Sequence, residues 1–325
     1  MPNTTSPLCG YDFSFPVNLT NISPGVYSAY AMTVAFNIFT CPLAILLNIM
    51  VIIAVKTNRQ LRTKSNISLA CLATTDFAVG LIVQPLYIVL FIFIHKGGRT
   101  QNAICDVIDV SDSVGQTCVA ASFLHLLLVS GERYLAIKHP FAYENGLVTE
   151  ARIIMASGLA WMCALTIYNV NIDIFKGIQV FLTIAIISTV MYIHIVVYKE
   201  VRRNTLQIIT NQVSLEVKEK LLKNKKAFNT TVVILLTLLL CYIPISVWMI
   251  IFMSSNGKIS SEDGQIVFCL AGFLVVLNSS INPLIFTVRN RQFRVAFIQL
   301  LTRKTLVQAE ELENKIFGSN HAAVA

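Results

Sequence analysis

Seven long apolar stretches constrain this chain more than any other feature of its sequence. They fall at roughly 29–55, 67–94, 104–131, 152–172, 177–198, 230–253 and 265–287, each long enough to cross the ~30 Å hydrocarbon core of a bilayer as a helix. A segment immersed in lipid must satisfy its own backbone hydrogen bonds, so only helices and closed barrels span. The stretches contain no ten-residue segments of alternating polarity, which removes the barrel. The chain is 55% hydrophobic and 13% charged, too apolar for a soluble domain. The expected fold is an all-α membrane protein, a seven-transmembrane helix bundle. No internal repeat and no Gly/Ser- or Pro-rich linker divides it, so one domain is expected.

The formal charge of +8 invites a nucleic-acid reading. The basic residues, however, lie between the apolar spans, no aromatics interleave them on one face, and no nucleic-acid-binding motif is present. Lys56, Arg59, Arg62 and Lys64, then Arg133, Lys138 and Arg152, then the Lys and Arg between Lys199 and Lys226, then those from Arg289 onward all fall on one side of the alternating loops. Only Lys96, Arg99, Lys176 and Lys258 fall on the other. The positive-inside rule then puts the amino terminus outside and the carboxyl terminus in the cytoplasm. Glycosylation sequons at Asn3, Asn18 and Asn21 lie on the outer side; matches at Asn66, Asn229 and Asn278 lie in or under the membrane. No basic segment followed by a short apolar core marks a cleavable signal, and the first span is expected to act as the anchor. The expected divisions are an extracellular segment over 1–27, the helix domain over 28–301 and a cytoplasmic tail over 302–325.

Several spans carry polar residues that cost free energy in a membrane unless they meet partners or water. The first holds Asn48 and the second Asp76. The third carries Asp109, Asp112, Gln116, Ser122 and His125, and closes with Glu132-Arg133-Tyr134, a charge pair suited to the membrane–water boundary. The fifth holds Tyr192 and His194, and the sixth Tyr242 and Pro244, where proline implies a kink. The seventh ends Asn278-Ser279-Ser280-Ile281-Asn282-Pro283-Leu284-Ile285-Phe286. Asp76 reads either as a protonated acid hydrogen-bonded inside the bundle or as an ion or proton site. Residues 199–226 read as a basic, largely helix-compatible cytoplasmic connection. Arg289 to Leu301 reads as an amphipathic helix on the membrane surface. The tail beyond Thr302 is polar and expected to be mobile.

In their order across seven spans, Asn48, Asp76, Glu132-Arg133-Tyr134, Trp161, Tyr192, Pro244 and Asn282-Pro283-x-x-Phe286 resemble the reference positions of the rhodopsin-like (class A) G-protein-coupled receptors. The resemblance covers about residues 28–301. It implies a plasma-membrane receptor with a ligand cavity between the outer helix halves. It also implies an inner cleft that opens to a heterotrimeric G protein when the sixth helix swings outward, with arrestin and receptor kinases as further partners and membrane lipid around the bundle. No enzyme motif appears. The family's sodium site maps onto Asp76, Ser122, Asn278, Ser279 and Asn282, a set of oxygen donors suited to a small hard cation. Glu132 is implied to hold Arg133 at rest, and Tyr192 to meet it on activation. Asn224 stands where many members carry a second acid, so a weak lock to the sixth helix is implied.

The departures bear on the ligand. Gly115 occupies the position of the carboxylate in amine receptors, and Asp112 lies one turn outward. Val276 replaces the retinal lysine of opsins, which removes a retinal cofactor. The usual cysteine position of the third helix is Ile108, so any disulfide among Cys9, Cys105 and Cys269 is left open. The fifth span has Ile184 in place of proline, and the loop before it is short and cysteine-free. These features bring the chain nearest in character to the melanocortin and adenosine group. The expected ligand-facing residues are Gln84, Tyr87, Asp109, Asp112, Gln116, Tyr168, Tyr242, Trp248 and Phe273, for an extracellular ligand of open class. A transporter or channel using Asp76 is the alternative; it would call for matched halves and paired broken helices, which the sequence lacks.

Overall fold

The computed structural model describes residues 23–95, 101–168, 173–210, 215–254 and 261–317. Among the described residues, seven helices are long and apolar enough to cross a membrane, and no strand occurs. The chain is thus a multi-pass membrane protein of helical-bundle type. Helix α1 (Pro24–Thr57) starts where Ser23 Oγ accepts from Val26 N at 3.4 Å and Pro24 sets the first turn. It is followed by α2, which runs Lys64–Ala78, passes through a π-helical turn at Val79–Val83 and continues as Gln84–His95. Thr63 caps α2 by accepting from Asn66 N at 3.2 Å. Then come α3 (Gln101–Lys138), α4 (Glu150–Tyr168), α5 (Asp173–Thr210), α6 (Leu215–Ser254), α7 (Ser261–Arg289), α8 (Arg291–Thr302) and α9 (Leu306–Phe317).

The long central helix α3 packs against α2, α4, α5 and α6, while α1 packs against α2 and α7, and α7 against α6. The largest apolar core lies at the Arg133 end of the bundle, where Val51, Leu72, Leu126, Ile234, Leu238, Phe286 and Phe293 are all buried. The outward faces are the reverse: Phe39 is 76% exposed, Leu240 69% and Ile250 64%. A water-soluble bundle would not present such a girdle, whereas lipid accepts it. Pro42, Pro244 and Pro283 sit inside continuous helices, which neighbouring spans in a membrane bundle tolerate.

The seven expected spans are borne out, and all but the fourth extend beyond the apolar run at both ends. The basic stretch 199–226 is mostly helix, α5 continuing to Thr210 and α6 starting at Leu215. The tail departs from expectation. Instead of a mobile polar segment, α9 folds back on α8, with Ala309 and Glu313 buried. Its polar composition hid a carboxylate that finds two guanidinium partners, Arg291 and Arg294. Burial acts to raise the Glu313 carboxyl, but the hydrogen bonds from the two arginines outweigh it and hold the group below its ordinary value.

The π-helical turn in α2 packs closely against α1 at Gly80. The Gly80 carbonyl accepts from Cys41 Sγ at 3.2 Å, and a Cβ at Gly80 would lie 3.0 Å from the Ala44 methyl and 3.2 Å from the Ile45 backbone nitrogen. Only glycine admits so close an approach of α1.

Two outcomes follow. Gly80→Val overpacks the α1–α2 contact and should cost about 1–3 kcal/mol, read as a lower thermal unfolding midpoint in nanodiscs. For the tail, a carboxyl held below 4.5 in the folded state contributes stability fully above that value and loses it as pH falls through the lower folded value. Spin-label distances between α8 and α9 should therefore stay constant from neutral pH down to the ordinary carboxylate range and lengthen only below it.

Candidate functional site

Two buried polar clusters stand out, one at the Arg133 end of α3 and one midway along α2 and α7. At the first, Glu132 and Arg133 are 4% and 5% exposed. Arg133 grips its neighbour with both arms, Nε donating to Oε2 at 2.5 Å and Nη2 to Oε1 at 2.6 Å. The Tyr143 hydroxyl, from the loop between α3 and α4, donates to the same Glu132 oxygen. Burial, and then the Glu132 carboxylate, push the Tyr143 phenol well above its usual range, so it stays protonated and remains a donor. Lys64 secures the loop from α2, its Nζ donating to Tyr143 O at 2.8 Å and lying 4.3 Å from the ring centroid. Gly146, at φ +90°, lets the loop turn back into α4. Tyr134 packs edge-on to His139 at 5.8 Å.

Among the described residues no hydrogen bond joins Arg133 to α6 or to Tyr192. The expected Tyr192 partnership does not occur in this conformation. That ring is 67% exposed on the outer side of α5, and His194 takes the inward face, its ring 5.9 Å from Phe228 of α6. Two positions along a helix lie about 200° apart in phase, so both cannot face inward. Asn224 of α6 is half-buried. The helix ends near Arg133 are joined elsewhere. Lys138 on α3 meets Glu200 on α5 at 3.1 Å, and Arg289 Nε at the end of α7 donates to Thr230 Oγ1 on α6 at 3.2 Å.

At the second cluster Asp76 is fully buried, and Asn282 Nδ2 donates to its Oδ2 at 2.8 Å across from α7. The Ser279 hydroxyl acts on the same carboxylate. Asn48 Nδ2 donates to Ser279 O at 2.9 Å, tying α1 in. Ser122 on α3 donates to Thr75 Oγ1 at 3.1 Å, the residue beside Asp76. Asn278 is 2% exposed. The buried acceptors Asp76 Oδ1, Asn278 Oδ1 and Asn282 Oδ1 receive no well-formed hydrogen bond among the described residues. Pro283 and Phe286 are buried just beyond Asn282, with Phe286 6.0 Å from Phe293 of α8. Tyr242 packs on Phe123 of α3 at 5.1 Å, two residues before Pro244.

The expected ligand-facing residues divide. Gln84 is fully buried against α1, its Nε2 donating to Thr40 Oγ1 at 2.9 Å, and Phe273 packs on Phe36 of α1 at 4.2 Å. Both are corrections. The π-helical turn moves Gln84 out of the phase a straight helix would give it, and an aromatic partner on α1 captures Phe273. The Tyr87 hydroxyl lies 3.5 Å from where a Cβ on Gly115 would stand. Gln116 is exposed on α3. Trp248 lines a cleft of about 270 Å³ between α6 and α7, with Pro244, Val247, Asp263 and Val267. The side chains of Asp109, Asp112 and Tyr168 lie outside the described residues, as do Asn3, Asn18, Asn21, Cys9 and the side chain of Cys105. Cys269, expected to face outward, is a buried free thiol. Sequence reasoning missed Tyr143, a tyrosine between α3 and α4 with no periodicity to mark it. It also missed the Ser157 partner of His125, their contact spanning 2.7 Å between α4 and α3.

Seven spans around a buried carboxylate, with an acid–arginine pair closing the third, define a seven-helix membrane bundle with a polar interior. A family described as 7 transmembrane receptor (rhodopsin family) matches residues 47–172. The chain is 25% identical to octopamine receptor beta-2R of Chilo suppressalis, over 90% of this chain and 87% of that one. It is 26% identical to the histamine H2 receptor of Rattus norvegicus, over 92% and 84%. It is 24% identical to melatonin receptor type 1B-B of Danio rerio, over 84% and 82%. These matches support a rhodopsin-like G-protein-coupled receptor, a family that implies an extracellular ligand and a G-protein partner.

Removing the Tyr143 hydroxyl deletes one hydrogen bond to a buried carboxylate. Tyr143→Phe should destabilise the fold by about 1.5–3 kcal/mol, measured as a shift in the thermal midpoint, with the seven-helix circular dichroism signature intact.

Proposed function

We propose that this receptor sits in the plasma membrane with its amino terminus outside, binds its ligand between the helix ends opposite Arg133, and activates a heterotrimeric G protein as α6 moves outward. The observation that carries this reading is the state of Arg133. It is buried and doubly bonded to its own neighbour, yet it has no bond to α6 among the described residues. Its restraint is therefore local to α3 and the Tyr143 turn, so an outward swing of α6 about Pro244 is opposed not by Arg133 but by the Thr230–Arg289 bond to α7. Release of the guanidinium from Glu132 would present a fixed cation to a partner at the inner cleft. Arrestin and receptor kinases would use the same face. The positive-inside distribution of Lys and Arg supports the orientation.

Asp76, Ser122, Asn278, Ser279 and Asn282 fit a sodium ion by their chemistry. All offer oxygen, and three of their buried oxygens lack donors. A bound cation would neutralise the Asp76 carboxylate between α2, α3 and α7. The ligand is inferred to be cationic, held by Asp109 and Asp112 on α3. Among the relatives, octopamine and histamine receptors are named for amines. In this chain Gly115 leaves the lower position without a carboxylate, and the Tyr87 hydroxyl approaches the α3 backbone there, so the acids lie higher.

In a nucleotide-exchange assay with a G-protein panel, Arg133→Ala should lower agonist-driven exchange by at least about tenfold, a transition-state loss of ~1.4 kcal/mol. Exchange equal to wild type would overturn the mechanism. Sodium should raise the thermal midpoint of the wild-type chain and leave that of Asp76→Asn unmoved.

A further inference from the structure

The chain beyond α7 forms a contact that the receptor reading leaves unused. Glu313 on α9 is 2% exposed, and two arginines of α8 converge on it. Arg291 Nε donates to Oε2 and Arg294 Nε to Oε1, each at 2.8 Å. Arg291 Nη2 also donates to Asn314 Oδ1 at 3.0 Å, and the Arg294 guanidinium lies 5.0 Å from the centroid of the Phe317 ring. The other side of Arg294 faces α7. Its Nη1 donates to Thr287 O at 3.3 Å and Val288 O at 2.9 Å, among the last carbonyls of the helix that carries Asn282, Pro283 and Phe286. One guanidinium thus connects α9 to the inner end of α7.

Exposed ion pairs contribute little, but a single buried carboxylate shared by two guanidiniums, with an aromatic ring over one of them, is a built recognition geometry. A helix of 12 residues is marginal alone in water, so α9 depends on this contact for its order. Docked and released forms therefore make two discrete states, and Glu313 sets the balance between them.

We propose that Arg291 and Arg294 form a carboxylate-binding fork, that α9 is its intramolecular ligand through Glu313, and that docked α9 restrains the inner end of α7. The restraint rests on the receptor reading above. If the α7–α8 corner shifts on activation, a clamp on the carbonyls of Thr287 and Val288 opposes it, and release of α9 raises agonist-independent signalling.

The test uses the full chain in nanodiscs with two readouts, amide hydrogen exchange over 306–317 and agonist-independent nucleotide exchange on the G-protein panel. Glu313→Gln is expected to speed hydrogen exchange over that segment by about tenfold or more and to raise basal nucleotide exchange severalfold. Truncation after Lys304 should raise basal exchange equally, and Glu313→Asp should leave both readouts near wild type. Protection of 306–317 that survives Glu313→Gln overturns the fork. Release of the segment with basal exchange unchanged overturns the restraint. A wild-type chain with no Arg133-dependent exchange sinks the receptor reading and the restraint together, while protection of 306–317 still reports the fork by itself.

Discussion

A carboxylate with no exposed surface, in the middle of a membrane bundle, has to be met by other polar groups, and everything around Asp76 is arranged to meet it. Asn282 reaches it from α7 at 2.8 Å, Asn48 fixes the neighbouring Ser279 from α1, and Ser122 brings in α3 through Thr75. Lipid gives no hydrophobic force between helices, so such polar contacts and close packing decide which spans adjoin. Four helices meet around one acid, and the apolar core toward the Arg133 end builds outward from that register.

α3 carries the consequence from one cluster to the other. It is buried by four neighbours, and it holds Ser122 beside Thr75 and Glu132-Arg133 at its end. A rigid rod in that position lets events at its two ends bear on each other without bending. α6 is different. It meets α3 through Phe123 and Tyr242 and meets α7 through the Thr230–Arg289 bond, but among the described residues it shares no hydrogen bond with Arg133. The joint that holds the arginine at rest is made by Tyr143, whose own position depends on Lys64 of α2.

The spans and their polar marks were legible because length, apolarity and an isolated acid each carry a free-energy cost that only one arrangement meets. Asp76 and the Glu132-Arg133 pair were marked on that logic, whereas Asn282 was grouped with Asp76 only by the resemblance to the rhodopsin-like receptors. Facing was less legible. Gln84 and Phe273 read as cavity residues and turned toward α1, one behind a π-helical turn, the other drawn to Phe36. Tyr192 and His194 are two apart on α5, and sequence alone could not choose which faces inward. Tyr143 lies in a short helical segment, Pro140–Ala142 continuing as Tyr143–Leu147, too brief for a period to be read. The tail looked like solvated chain because the partners of Glu313 are about twenty residues earlier, on another helix.

The extra residue carried by the turn at Val79–Val83 means that the upper part of α2 keeps a different rotational phase from the lower part. Straightening that turn with all its residues kept would swing every side chain above it by about 100°. Thr40 would then lose its amide partner, and Tyr87 would no longer address Gly115. What the upper part of α2 presents to α1 and α3 thus depends on the π geometry at Val79–Val83 as much as on the identities of the side chains above it.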